Sequence, residues 1–384
     1  MREVRALRED EIPQLCRVVG EAFKEDSTSW VMEQQQYEPG YRHCQTRVAV
    51  VDGRVVSSLI VLRRPIHYAG ATIPMLGVGN VSTLPSEEGR GHASAILRQV
   101  AELAPGWGYP LGMLFTDIPG FYRRLGWEAV PVLRACFRPL PSGVPARSPI
   151  RRFQPETMTG EVARAVAPIY EAANRDQVGP IARWPEYWEA NVIRRWRRCH
   201  LWLAEGAYVV LSPERETLDI HEGGYLPGAE AAARDLLAEA THMARALGKP
   251  LMRAPGHPAL RPELWEGSAE VASESTDTGM MCVIFDWPAL VRYILPALQE
   301  RWRQAGRPVL ETTLCHRTGE VAVVGTPRGL EIAGGVGGTR YNLDDAQAIP
   351  LLFGQWQAIP DLDRPELRAL FAGPTPAFWP GDGF

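Results

Sequence analysis

Apolar positions in the first 140 residues change period several times, and each change marks an element. Residues 4–7 read as a short strand. Across residues 9–23, Ile12, Leu15, Val19 and Phe23 recur at helical spacing rather than alternating. Strands over 46–51 and 55–63 flank Asp52-Gly53, a two-residue turn that predicts a hairpin. A strand over 71–84 leads into the polar stretch 85–93. A helix follows, with Ile96, Leu97, Val100 and Leu103 as its apolar stripe and Pro105-Gly106 as its end. A strand over 111–116, a short helix over 121–125 and a strand over 127–138 complete the series. The order β-α-β-β-β-α-β-α-β predicts an α+β domain, a mixed sheet with helices on its faces.

Residues 139–149 are rich in Pro, Ser and Gly and lack periodicity, so they predict a linker that closes a first domain at 1–140. A second domain, 150–278, is expected to hold helices over 160–174 and 185–196, strands over 200–211 and 217–225, a helix over 229–247, and a strand over 250–254. Two strands, a helix and a strand repeat the core order of the first domain, which suggests a degenerate copy. A third domain, 279–384, opens with a strand over 280–285 and a helix over 287–304. Short strands over 309–315, 320–325 and 329–333 come next, then a helix over 342–353 with Asp344 and Asp345 at its positive end. The tail from 374 to 384 is barred from helix by proline and glycine. It nevertheless carries Phe378, Trp379 and Phe384, where a frayed end is usually polar, so it is expected to dock.

Composition narrows the class. A chain of 384 residues, 45% hydrophobic and 22% charged, suits two or three folded domains and excludes a largely disordered protein. A net charge of −4 gives no globally basic surface, so no nucleic-acid partner is expected. No apolar run approaches the ~20 residues of a membrane span, and Met1 leads directly into Arg2, Glu3 and Arg5, so no membrane is expected and the cytoplasm is the expected compartment. The six cysteines are far apart with no CxxC, which reads as reduced thiols, and the eight histidines are dispersed, so no metal is expected.

Three stretches carry candidate chemistry. Glycines just before the helix at 92 let backbone approach a ligand, and the unpaired amides of a helix start suit a pyrophosphate. This is neither a P-loop nor a dinucleotide fingerprint, since GK[ST] and GxGxxG are both absent. Gly77 and Gly79 inside an apolar strand mark a bulge or a close approach, and a bulge frees amides to polarise a carbonyl. Tyr122 begins a short helix just past a strand end. A phenol with a reference pKa of about 10 is a plausible proton donor to a departing thiolate.

In this order the three stretches resemble the GNAT acetyltransferase superfamily. The residues that carry the resemblance are Val81-Ser82-Thr83-Leu84-Pro85, Glu88-Gly89-Arg90-Gly91-His92-Ala93 and Phe121-Tyr122-Arg123-Arg124-Leu125-Gly126-Trp127. The family's Gln/Arg-x-x-Gly-x-Gly/Ala loop fits in two registers, Ser86 with Gly89 and Gly91, or Glu88 with Gly91 and Ala93, and the second keeps the usual distance from the strand-end proline. Either way the first position departs from Gln or Arg, which leaves that contact to backbone amides. Over nearly its whole length the chain resembles the enhanced intracellular survival (Eis) family. Its length, the missing phosphate loop of its middle region, Tyr341-Asn342-Leu343-Asp344-Asp345 and the Phe-Trp-Pro-Gly-Asp-Gly-Phe ending carry that likeness.

The resemblance implies a mixed-sheet GNAT domain, a second GNAT-like domain and a sterol-carrier-protein-like C-terminal domain. It implies an N-acetyltransferase with acetyl-CoA as cosubstrate, acting by direct attack in a ternary complex on small-molecule amines, polyamine- or aminoglycoside-like. It also implies a homo-oligomer, a hexamer in that family. Tyr122 would be the general acid and the α-carboxylate of Phe384 the general base. Val81, Ser82 and Thr83 would hold the pantetheine arm, Gly89, Arg90, Gly91, His92, Ala93 and Ser94 the pyrophosphate, and Asp117 joins the cofactor contacts. Asp26 and Trp30, after the first helix, would form an acceptor wall, an anion and an aromatic face for a cation. Two other readings remain open on the sequence: a non-catalytic CoA- or small-ligand-binding protein, and a transferase that uses a different acyl-CoA.

Overall fold

A computed structural model describes residues 1–24, 31, 37–141, 147–333, 337–373 and 375–383. Asp52-Gly53 turns the expected hairpin, both residues at positive φ (48° and 77°), as a right-twisted two-residue connection requires. Thr46–Val51 and Arg54–Arg63 extend from it into a seven-stranded sheet. Across that sheet run Arg2–Ala6, Thr46–Val51, Arg54–Arg63, Met75–Thr83, Leu111–Phe115, Met280–Ile284 and Glu128–Ala129. The helix Ile12–Phe23 buries Leu15, Val18 and Val19 on it, and the helix His92–Leu103 buries Ile96, Leu97 and Val100.

A second seven-stranded sheet runs Arg151–Phe153, His200–Ala204, Ala207–Pro213, Thr217–Tyr225, Leu251–Pro255, Val132–Pro139 and Ala269–Asp277. Both large sheets hold one parallel pair joined through a helix. Met75–Thr83 runs parallel to Leu111–Phe115 across His92–Leu103, and Thr217–Tyr225 runs parallel to Leu251–Pro255 across Glu230–Ala246. The core unit, a parallel strand pair joined through a helix, thus occurs in each of the two large sheets.

The two halves exchange strands. Val132–Pro139 leaves the first region to pair with Leu251–Pro255 and Ala269–Asp277, while Met280–Ile284 returns to pair with Leu111–Phe115 and Glu128–Ala129. The intervals 1–140, 150–278 and 279–384 follow sequence order; the sheets do not. Pro131, which has no N–H to give a ladder, stands between Glu128–Ala129 and Val132–Pro139, so the single strand expected over 127–138 is two. Pro74 likewise divides the strand expected over 71–84. Ala71–Ile73 pairs with Ile66–Tyr68, which pairs in turn with Val178–Ile181 from the second half. The strand expected over 200–211 is a hairpin turning at Glu205-Gly206, with Gly206 at φ 71°.

The helix Trp287–Gln304 packs on Ala71–Ile73 and on a four-stranded sheet ordered Gly329–Ala333, Gly319–Thr326, Leu310–His316, Thr339–Asn342. Asn342 is the last residue of a strand rather than the first of a helix. Asp344 caps the helix Asp345–Leu352 in a capping box with Gln347. One apolar core runs through all three regions, from Ile66 and Met113 through Trp196 and Leu211 to Ile294 and Phe371, and a second lies under the first sheet's helices. Among the described residues no helix is long and apolar enough to cross a membrane.

Candidate active site

The first sheet opens where its two parallel strands diverge. Met75–Thr83 and Leu111–Phe115 pair in register at Met75–Leu111, Leu76–Gly112 and Gly77–Met113, and beyond Gly77 they part. On its other edge the Met75–Thr83 strand stays paired with Arg54–Arg63, but with a bulge. Ser58 faces Ser82 and Ile60 faces Gly79, so Asn80 and Val81 together oppose Leu59. Asn80 takes φ 54° to make this possible. The bulge that Gly77 and Gly79 led us to expect therefore lies at Asn80-Val81. Past it, among the described residues, the strand is fastened from one side only. The Ser58 and Ser82 hydroxyls are 2.8 Å apart, and Ser57 donates to the Ser82 carbonyl at 2.7 Å and lies 2.8 Å from the Thr83 hydroxyl. The edge facing the gap has no strand partner among the described residues.

A cleft of about 760 Å³ fills this gap, within the usual range for a small-molecule site. Val81, Ser82 and Thr83 line one wall, Gly89, Gly91, His92, Ala93 and Ser94 the second, and Tyr122 the third. At the second wall Gly89 (φ 73°) and Gly91 (φ 74°) turn the chain through left-handed conformations into the helix His92–Leu103. The first helical bond is Ala95 N–H to the Gly91 carbonyl. None of the backbone amides from Gly89 through Ser94 has an acceptor among the described residues. Consecutive free amides at a helix start make an anion-binding nest. Glu87, which would oppose an anion here, is held inside the loop, with its Oε2 3.2 Å from Arg90 Nη1 and 3.3 Å from His92 Nε2.

Tyr122 is buried, 5% exposed, by the helix Pro119–Arg123, with its ring edge-on to Phe121 (4.9 Å) and Trp127 (6.2 Å). Its hydroxyl makes no hydrogen bond to any described residue. Burial alone pushes its pKa up to about 12, so the phenol keeps its proton at neutral pH.

Nine expected residues thus share one cleft: Val81, Ser82, Thr83, Gly89, Gly91, His92, Ala93, Ser94 and Tyr122. Arg90 and Asp117 are exposed, and neither is among the residues lining it. Asp26, Trp30 and Phe384 lie outside the described residues. Sequence reasoning missed Arg98 and Arg124, whose cationic side chains also line the cleft, together with Ala22 and Phe23 at the end of the first helix. Arg98 was findable, since it stands four residues after Ser94 on one helix face.

The tail docks. Ala377 N–H bonds the Val178 carbonyl at 2.9 Å, and Trp379, fully buried, donates its indole N–H to Asn174 Oδ1 at 2.7 Å and lies 4.2 Å from the His257 ring. Gly179 faces the Ala377 carbonyl so closely that a Cβ there would sit 2.3 Å from its oxygen. Asp382 is fully buried against Arg183. The chain thereby brings Phe378 to 5.0 Å from Phe115, at the end of the strand that leads to Tyr122, and Gly383 into a cavity of about 230 Å³ beside both.

Residues 3–130 match the family described as acetyltransferase (GNAT) domain. No curated protein sequence matches the chain. Among solved structures, a GCN5-related N-acetyltransferase from Kribbella flavida superposes with a TM-score of 0.77 at 19% identity, over 100% of this chain and 98% of that one. One from Anabaena variabilis gives 0.74 at 17%, over 100% of both. Eis1 from Mycobacterium abscessus gives 0.68 at 15%, again over 100% of both. At these identities the likeness is one of fold, and it extends across all three regions.

Proposed function

We propose that this chain, a GNAT-superfamily acetyltransferase that uses acetyl-CoA, acetylates small primary amines of the polyamine or aminoglycoside kind by direct attack within a ternary complex. The observation that carries the reading is the cleft: a one-sided strand edge, a nest of free amides and a protonated phenol meet in one space. These parts fit acetyl-CoA in order. The amides from Gly89 through Ser94 take the pyrophosphate, with Arg98 and Arg124 adding positive charge. The open edge of Val81–Thr83 takes the amide-bearing pantetheine arm as a neighbouring strand would. Glu88, exposed in place of the family's Gln or Arg, leaves phosphate binding to the backbone.

Tyr122 gives its proton to the departing thiolate. The acceptor's ammonium must lose a proton before its nitrogen can attack, and we assign the base role to the α-carboxylate of Phe384, which follows Gly383 in the sequence. Asp26 and Trp30 are assigned to the acceptor wall. In these respects the chain would work as an Eis-type enzyme, with a sterol-carrier-like third region and an oligomeric, cytoplasmic form.

Calorimetric titration of untagged, full-length protein with acetyl-CoA tests the cleft, and an amine panel then tests the transfer. One saturable site per chain, followed by acetylation of a polyamine or aminoglycoside, is expected. Absence of binding at millimolar acetyl-CoA would overturn the assignment.

A further inference from the structure

Two charge clusters lie outside the cleft. Arg183 with Glu222 and Asp382 fastens the tail to the second half and is buried throughout. The other belongs to the third region and meets the chain just after Tyr122. It centres on Asp345, the last of residues 341–345, which carry part of the family likeness but do not line the cleft. Asp345 opens the helix Asp345–Leu352, which packs on Met280–Ile284 and on Glu128–Ala129 of the first sheet. Arg317 Nε donates to Asp345 Oδ2 at 2.9 Å and to Oδ1 at 3.2 Å. The His316 side chain is fully buried, with its Nε2 3.1 Å from Asp345 Oδ1. Its Nδ1 accepts from Thr318 N–H at 3.4 Å, so Nε2 carries the hydrogen and donates to Asp345. Burial opposes the charge of Asp345, but His316 and Arg317 outweigh that and hold the carboxylate below its usual range.

The backbone that carries Tyr122 runs into this cluster. Its helix, Pro119–Arg123, is five residues long, too short to hold its own shape, so what packs on it sets its position. The chain leaves through a turn folded back on Tyr122 itself. The Tyr122 carbonyl accepts from Leu125 N–H at 2.8 Å and from Trp127 N–H at 3.3 Å, and Gly126 N–H bonds the Arg123 carbonyl at 3.0 Å. Gly126, at φ 82°, lies inside that turn and against the cluster. A Cβ there would sit 2.7 Å from Arg317 Nη2 and 2.9 Å from Asp345 Oδ2, so the ion pair abuts the backbone of the turn.

Arg317 is half-exposed, and an ion pair in that setting adds little to stability. What it supplies here is position. A proton donor displaced by ~1 Å can cost ~10²-fold in rate, so a contact that is minor for folding can be large for turnover.

We propose that Asp345, held by Arg317 and His316, is a positioning residue: it seats the turn at Gly126 and thereby fixes the Tyr122 phenol at the cleft. This rests on the reading of Tyr122 as the proton donor. The third region then acts on proton transfer and not on acetyl-CoA binding, because the free amides from Gly89 through Ser94 stand on another wall.

The test is a double-mutant cycle in the full chain. Asp345→Ala, Asp345→Asn, Arg317→Gln and Gly126→Ala are made singly, and Asp345→Ala and Arg317→Gln are each also combined with Tyr122→Phe. Each protein is assayed for kcat with the best acceptor of the amine panel and for acetyl-CoA affinity by calorimetry. We expect Asp345→Ala to lower kcat about tenfold with acetyl-CoA affinity unchanged. Asp345→Asn keeps an oxygen for Arg317 and His316 and should recover part of that loss, while Arg317→Gln and Gly126→Ala should lower kcat in the same way. In the Tyr122→Phe background Asp345→Ala should cost nothing further, because the group it positions is gone. Parental kcat in Asp345→Ala, or an equal loss with and without the Tyr122 hydroxyl, overturns the positioning role and leaves the acid in place. If Asp345→Ala does not fold, Arg317→Gln takes its place in the cycle under the same criteria. Parental kcat in Tyr122→Phe itself removes the acid and the positioning role together, an outcome distinct from the others, in which Tyr122→Phe is slow.

Discussion

At the scale of single residues, Tyr122 decides most. It lines the cleft, its hydroxyl has no hydrogen-bond partner among the described residues, and burial holds its pKa at about 12. Tyr122→Phe removes one oxygen and no packing, since the ring contacts with Phe121 and Trp127 remain. We expect kcat to fall on the order of 10²-fold with acetyl-CoA affinity unchanged, the scale of a lost general acid; steady-state rates beside calorimetry check it. Because the folded pKa lies above the reference of about 10, this group's stabilising effect is complete below pH 10 and is lost only as pH rises towards 12. His257 has the opposite sign. Its Nδ1 accepts from Ala259 N–H at 3.0 Å, its Nε2 is buried with no partner among the described residues, and burial alone pushes its pKa down to about 3. Its stabilising effect is complete above about pH 6.5 and is lost as pH falls towards 3. At pH 5 the loss is about 2 kcal/mol, and urea midpoints at pH 7 and pH 5 should show it, together with faster exchange of the Trp379 amide.

At the scale of elements, the loop before His92–Leu103 separates conformation from contact. A Cβ at Gly91 would meet nothing nearer than Arg2 Nη1 at 4.0 Å, so Gly91→Ala suffers only from φ 74°. That strain, about 1–2 kcal/mol, would be relieved by turning the free amides away from their common focus. We expect acetyl-CoA affinity to fall roughly tenfold with little change in kcat at saturation, measurable by titration. The same loop shows what the sequence disclosed and what it hid. Gly89, Gly91, Tyr122 and the hairpin at Asp52-Gly53 were legible because each signal is local: a turn conformation, a helix start, a spacing. The apolar stripes of His92–Leu103 and Ile12–Phe23 were legible for the same reason. Arg183, Glu222 and Asp382 were not, because no period or spacing joins residues so far apart in the chain. Pro74 and Pro131 were visible as residues, yet only tertiary pairing shows that the chain changes sheets beside them.

For the whole molecule, strand exchange is the governing fact. In the first sheet Met280–Ile284 stands between Leu111–Phe115 and Glu128–Ala129, so its buried row Met280, Met281, Cys282, Val283 and Ile284 completes a sheet begun far earlier in the chain. In return Val132–Pro139 gives the second sheet the strand between Leu251–Pro255 and Ala269–Asp277. A protein cut at residue 140 would leave Leu111–Phe115 with an open edge and lose the Met281, Val283 and Phe285 side chains from the core around Tyr122 and Trp127. The phenol would then sit in a half-built wall. We expect residues 1–140 alone to give no cooperative thermal transition and no acetyl-CoA binding, and the full chain to unfold with one transition spanning both halves; calorimetry of the two proteins decides. A folded, acetyl-CoA-binding 1–140 fragment would show that the exchange is dispensable. If the fragment fails, the return of Met280–Ile284 is needed to build the cleft, because that strand and Phe285 carry the packing behind Tyr122 and Trp127.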